Sequence, residues 1–173
     1  MMMTPSLRKL VLTAHVTSSV GLLGAVASFL VLAISGLVSP DVQIARGGYM
    51  AMNVIAEFVI VPLAFASLLI GIVSSLGTKW GLVRQYWILA KLLLTVVATI
   101  VLLVQMEPIG LLARAAETTL SGADLPLQIR LLIHAGGGLL VLLVPMVLSV
   151  YKPWGMTQYG RRKQQRDRAL LQP

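Results

Sequence analysis

The chain has 173 residues, 57% of them hydrophobic and 12% charged, with no cysteine and a formal net charge of +8. So apolar a composition excludes an ordinary soluble domain and points to membrane spans, and the lack of cysteine excludes disulfides, thiolate metal sites and cysteine nucleophiles. The basic excess accompanies no groove-reading motif, so nucleic acid is not an expected partner.

The expected architecture is all-α, a single four-span membrane bundle with spans at roughly 10–37, 49–76, 86–106 and 128–151. Each exceeds the ~20 residues that cross ~30 Å of hydrocarbon. Span one opens on Arg8-Lys9 and carries Ser18, Ser19, Gly21, Gly24, Ala25 and Ser28. Gly21/Ala25 and Gly24/Ser28 are small-xxx-small pairs, suited to close approach of another helix or of a second copy of the chain. Its apolar run is too long for a signal-peptide core, so an uncleaved span is expected. Met1-Met2-Met3 leaves Met3 as an alternative start.

Ser39-Pro40-Asp41 breaks the chain before span two, in which Pro62 predicts a bend. Trp80, Tyr86 and Trp87 bracket the start of span three, and Tyr151 and Trp154 the end of span four, as an interfacial aromatic belt does. After span three, Leu112, Ala116 and Leu120 fall on one face of a stretch running from Pro108, which predicts a short helix lying on the outer surface. Span four contains Gly136-Gly137-Gly138 and Pro145. The tail 152–173 is basic through Arg161, Arg162, Lys163, Arg166 and Arg168, and anionic lipid headgroups are its expected partner.

With four spans, ten Lys and Arg fall on the side of the termini and three, Arg46, Arg114 and Arg130, on the other, with Lys91 inside a span. The positive-inside rule then places both termini in the cytoplasm of a cell bearing the protein in its plasma membrane.

Four groups within the spans can ionise, and such groups are functional candidates by default. At about 1.5 Å per residue, His15 and Lys91 lie ~9–10 Å inside the inner boundary, whereas Glu57 and His134 lie ~27 Å from it. Depth therefore suggests an inner pair, His15 with Lys91, and an outer pair, Glu57 with His134, assisted by Asn53 one turn away. The outer pair reads either as a hydrogen bond locking spans two and four or as a proton relay. On span three, Trp87, Lys91, Thr95 and Thr99 form one stripe, and on span one His15, Ser18 and Ser19 cluster. About 18 Å of depth separates the two histidines, too far for both to ligate one iron.

His15 in span one, Pro62 then Gly71 in span two, Trp87-x-x-x-Lys91 in span three and Lys152-Pro153 after span four form an ordered set. It resembles the superfamily of copper-resistance D-type membrane proteins and four-span, haem-binding protoporphyrinogen oxidases. The resemblance implies functional roles for His15 and Lys91 and a haem b or porphyrin between spans one and three. His15 would ligate iron, Lys91 would pair a propionate, and the span-four glycines would make room. Where those oxidases share an Asn-Glu-x-Pro stretch, this chain has His134-Ala-Gly-Gly-Gly, so the resemblance does not extend to that motif. A wider match, through Leu-Gly-Thr-x-Trp-Gly-Leu at 76–82, Tyr-Trp-x-Leu-x-Lys at 86–91 and Ser-Val-Tyr-Lys-Pro-Trp-Gly-Met-Thr at 149–157, resembles an actinobacterial family of four-span membrane proteins. It speaks to architecture and not to activity. Two other roles stand beside haem binding: a non-catalytic scaffold or partner protein, and a copper-handling protein using Met50, Met52, Met106 and His134.

Overall fold

A computed structural model describes residues 3–77, 85–118, 125–151, 155 and 157–169. Lys79, Trp80, Arg84, Lys152, Pro153 and Trp154 lie outside the described residues, as do the side chains of Lys163 and Arg168. The fold is an all-α four-helix bundle. Helix α1 covers Pro5–Val38. Span two is built from α2 (Val42–Ile55), a π-helical turn (Ala56–Ile60) and α3 (Val61–Leu76). Then come α4 (Tyr86–Thr118), α5 (Leu125–Tyr151) and a short α6 (Gln158–Ala169). Four helical stretches, Pro5–Val38, Val42–Leu76, Tyr86–Thr118 and Leu125–Tyr151, are long and apolar enough to cross a membrane.

Local chemistry sets the boundaries. Thr4 caps α1, its hydroxyl accepting from the Leu7 amide, and Pro5 fills the first turn, where an N–H has no helical partner. Ser39-Pro40-Asp41 is the expected break, and the Asp41 carboxylate caps α2 by accepting from the Gln43 amide at 2.8 Å. Pro62 cannot donate to the carbonyl of Phe58, and its ring crowds that carbonyl. The chain responds with a π turn in which the Val61 amide reaches Ala56 O, five residues back.

The helices run up and down. Met3 packs on Gly77 and the Tyr86 amide donates to Gly155 O, which gathers these segments at one end, here the terminal end. Gly36 against Tyr49 and Arg46 against Thr118 O mark the opposite, distal end. Helix α1 packs on span two and on α5, and α4 packs on the same two neighbours. Spans one and three therefore face each other across one diagonal, and spans two and four across the other. Leu22, Phe29, Ala33, Tyr49, Met52, Leu112, Leu131 and their neighbours form one core, while large apolar side chains such as Phe58, Leu140 and Val150 point outward, as a hydrocarbon solvent permits.

One expectation fails. The segment after Met106 is not a separate surface helix, because α4 continues through Pro108 to Thr118. The apolar stripe exists, but it faces protein: Ile109, Leu112, Ala113 and Ala116 are buried, and this part of α4 packs on α2. Arg46 ties the pair by donating to the carbonyl of Thr118 at the C-terminus of α4, where the helix dipole favours a cation.

Candidate functional site

His15 and Lys91 both lie toward the terminal end, on diagonal spans. Helix α1 and α3 run antiparallel, and Ser19 Oγ lies 2.8 Å from Ser67 Oγ. One turn toward the terminal end, the His15 ring rests on Gly71, where a Cβ would stand 2.9 Å from His15 Cε1 and 3.4 Å from Nδ1. Only glycine leaves the imidazole that position. His15 Nδ1 is buried without a hydrogen-bond partner. Lys91, across the diagonal, is near enough for its charge to bear on the ring, and so is the backbone of Ser67. Ser18 Oγ donates to the His15 carbonyl at 3.0 Å, tying that turn of α1.

Lys91 is held from the other side. Its ammonium donates to Ser149 Oγ at 2.6 Å and lies 5.2 Å from the centroid of the Trp87 ring. Ser149 Oγ in turn donates to the carbonyl of Pro145 at 2.8 Å, so its lone pairs are aimed at the ammonium. The stripe on α4 continues with Thr95 and Thr99, each hydroxyl donating to the carbonyl four residues back. Ser149 does not stand out in the sequence: it lies two residues from the terminal end of α5, whereas Lys91 lies five from that of α4.

The outer pair is not brought together. His134 Nδ1 is 2.7 Å from the Arg130 carbonyl of its own helix, and Glu57 lines a groove against α4 with Asn53 beside it. The expected Glu57–His134 hydrogen bond is absent because equal depth does not make two spans neighbours: α5 packs on α1 and α4, and span two lies across the diagonal. The glycines of span four are also misplaced for a cofactor beside Lys91. Gly138 is eleven residues from Ser149, about 16 Å along the helix. A Cβ at Gly136, Gly137 or Gly138 would meet nothing within 4 Å.

Among the described residues no group of three or more His, Asp or Glu side chains is placed to hold a metal ion. Met52 is buried in the core while Met50 is exposed, so these two thioethers point apart. No protein-family model, curated protein or solved structure matches the chain.

The terminal end carries two of the donor types that a metalloporphyrin takes. It offers one imidazole nitrogen without a protein partner and one ammonium able to pair a carboxylate. His134 is not at this end: it lies fifteen residues from Ser149, about 22 Å along α5.

Proposed function

We propose that this chain is an integral membrane protein that binds haem b or a related porphyrin at its terminal end, with His15 as the iron ligand and Lys91 as the partner of a propionate. One observation carries the reading. A His15 Nδ1 buried without a hydrogen-bond partner and a Lys91 ammonium held by Ser149 both lie toward the terminal end, on diagonal spans. When bound, the iron would supply ligand binding or one-electron chemistry, and the chain supplies the imidazole, the charge and a low-dielectric surround. The test is the Soret absorbance of protein purified after expression with haem supplied. A band at about one haem per chain supports the reading, and a colourless protein overturns it.

A second reading, a partner or scaffold protein without cofactor, is favoured by different residues. Gly24 on α1 and Gly136–Gly138 on α5 meet no side chain within the chain, leaving faces on which another helix or a second copy could pack closely.

The same proposal places both termini in the cytoplasm of a plasma-membrane protein. α6 would then lie against the inner leaflet, with exposed Arg161, Arg162 and Arg166 toward anionic headgroups. Thr157 starts that helix, its hydroxyl accepting from the Gly160 amide at 3.1 Å. Reporter fusions after Pro173 and within 119–124 are expected to read inside and outside, respectively. The reverse result would remove the lipid assignment of α6.

A further inference from the structure

A second site lies at the distal end, apart from His15 and Lys91. A groove of about 450 Å³ opens between span two and α4, lined by Asn53, Glu57, Met106, Glu107, Arg114 and Glu117 together with small and apolar side chains. Asn53 and Glu57 sit one turn apart on span two, the latter within the π turn. Glu107, Arg114 and Glu117 recur at helical spacing along one face of α4, and Gly110 between them leaves its position open toward Asn53 Oδ1, 3.8 Å from an ideal Cβ. Glu57, Glu107, Arg114 and Glu117 are all exposed, and among the described residues none of them has an ion pair or hydrogen bond through its side chain.

The groove's height in the membrane narrows the ligand. Glu57 is nineteen residues from the terminal end of α3, and Glu107 is twenty-one from that of α4, about 28 and 31 Å of helix. With the terminal ends of α3 and α4 set at the inner edge of a hydrocarbon core ~30 Å thick, the groove falls where the distal headgroups would begin. The lining narrows it further. Three carboxylates disfavour a simple anion, and Arg114 among them disfavours a simple cation. Among the described residues these acids are not grouped to hold a metal ion. A zwitterion satisfies both signs at once. No aromatic side chain lines the groove, so a quaternary ammonium would find no cage, whereas a primary ammonium can donate hydrogen bonds to carboxylates.

We propose that this groove binds the headgroup of a primary-amine phospholipid, phosphate on Arg114 and ammonium among Glu57, Glu107 and Glu117, with the acyl chain leaving past Met106 and Leu111. The full chain, purified in detergent, would be offered an equimolar mixture of phosphatidylethanolamine, phosphatidylcholine and phosphatidylglycerol, and the retained lipid counted by native mass spectrometry. Phosphatidylethanolamine is expected about tenfold above each of the others, since charge-assisted hydrogen bonds of this kind are worth at least that factor. Glu107→Gln with Glu117→Gln should bring the ratio against phosphatidylcholine close to one, and Arg114→Gln should lower phosphatidylethanolamine retention without raising the others. These substitutions keep shape at exposed positions, and an unchanged elution profile confirms the fold. If the double variant misfolds, Glu57→Gln alone is read in its place. Equal retention of the three lipids, or a preference untouched by the variants, overturns the proposal. Water-soluble phosphoethanolamine separates the two sources of the same chemistry. If it binds wild type as tightly as the lipid does, the groove takes a free zwitterion and the lipid assignment is overturned.

Discussion

His15→Ala is expected to erase the Soret band of haem-supplied protein, Lys91→Met to lower the haem retained by roughly tenfold, and His134→Ala to leave it unchanged. The three outcomes differ because the residues stand differently toward the site. His15 carries the unpartnered buried nitrogen, so its removal leaves iron without a protein ligand. Lys91 contributes charge and hydrogen bonding to a carboxylate, an interaction of about 1.5–3 kcal/mol when one partner is ionised, hence roughly a factor of ten or more. Lys91→Arg keeps the charge but presents a wide planar fork in place of a compact ammonium that Ser149 now holds at 2.6 Å, so partial retention is expected. Ser149→Ala removes the hydroxyl that holds the Lys91 ammonium and should fall between wild type and Lys91→Met. His134 is bonded to its own helix about 22 Å away along α5. A loss on His134→Ala equal to that on His15→Ala would show that the cofactor is not at the terminal end.

The sequence made the one-dimensional part of this structure readable. Hydropathy located four spans, and Ser39-Pro40-Asp41 announced a break because proline lacks a donor and Asp41 caps the next helix. Depth arithmetic aligned His15 with Lys91 and Glu57 with the distal ends, since rise per residue is nearly constant. Azimuth was not readable. Which spans adjoin depends on how whole surfaces pack, and that separated Glu57 from His134 although their depths agree. His15 and Lys91 also sit on diagonal spans: a glycine at 71 gives the imidazole its place on α3, and Ser149 of α5 holds the ammonium. Past Met106 the stripe of Leu112, Ala116 and Leu120 predicts a separate short helix on the outer surface, because the sequence does not say what an apolar face packs on. The structure shows Glu107, Arg114 and Glu117 on the outer face of a helix whose other face is buried. Glycine roles were the least legible. Gly21 packs on Leu63, with an ideal Cβ 3.4 Å from its Cδ1, whereas Gly24 in the same kind of motif meets nothing.

That contrast yields the largest expected effect on stability, at a glycine further along α1. An ideal Cβ on Gly36 would stand 2.6 Å from Tyr49 Cζ and 2.8 Å from Cε1, well inside van der Waals contact. The ring has little freedom to move aside, because Tyr49 is only 2% exposed and wedged between α1 and the core. The backbones are close as well: Gly48 of α2 comes within 4.0 Å of the Gly36 Cα, measured from its own ideal Cβ. Gly36→Ala should therefore force α1 and α2 apart at the distal end and cost about 1–3 kcal/mol, with Gly36→Leu worse. Gly24→Ala, open to nothing within 4 Å, should be neutral or gain up to about 1 kcal/mol from helix propensity. The measurement is reversible unfolding in detergent for the two alanine variants side by side. Tyr49→Leu supplies the internal check, since a branched side chain without the ring relieves the clash, and Gly36→Ala should cost less in that background than in wild type. Equal costs at Gly36 and Gly24 would mean that the α1–α2 crossing is looser than 2.6 Å implies.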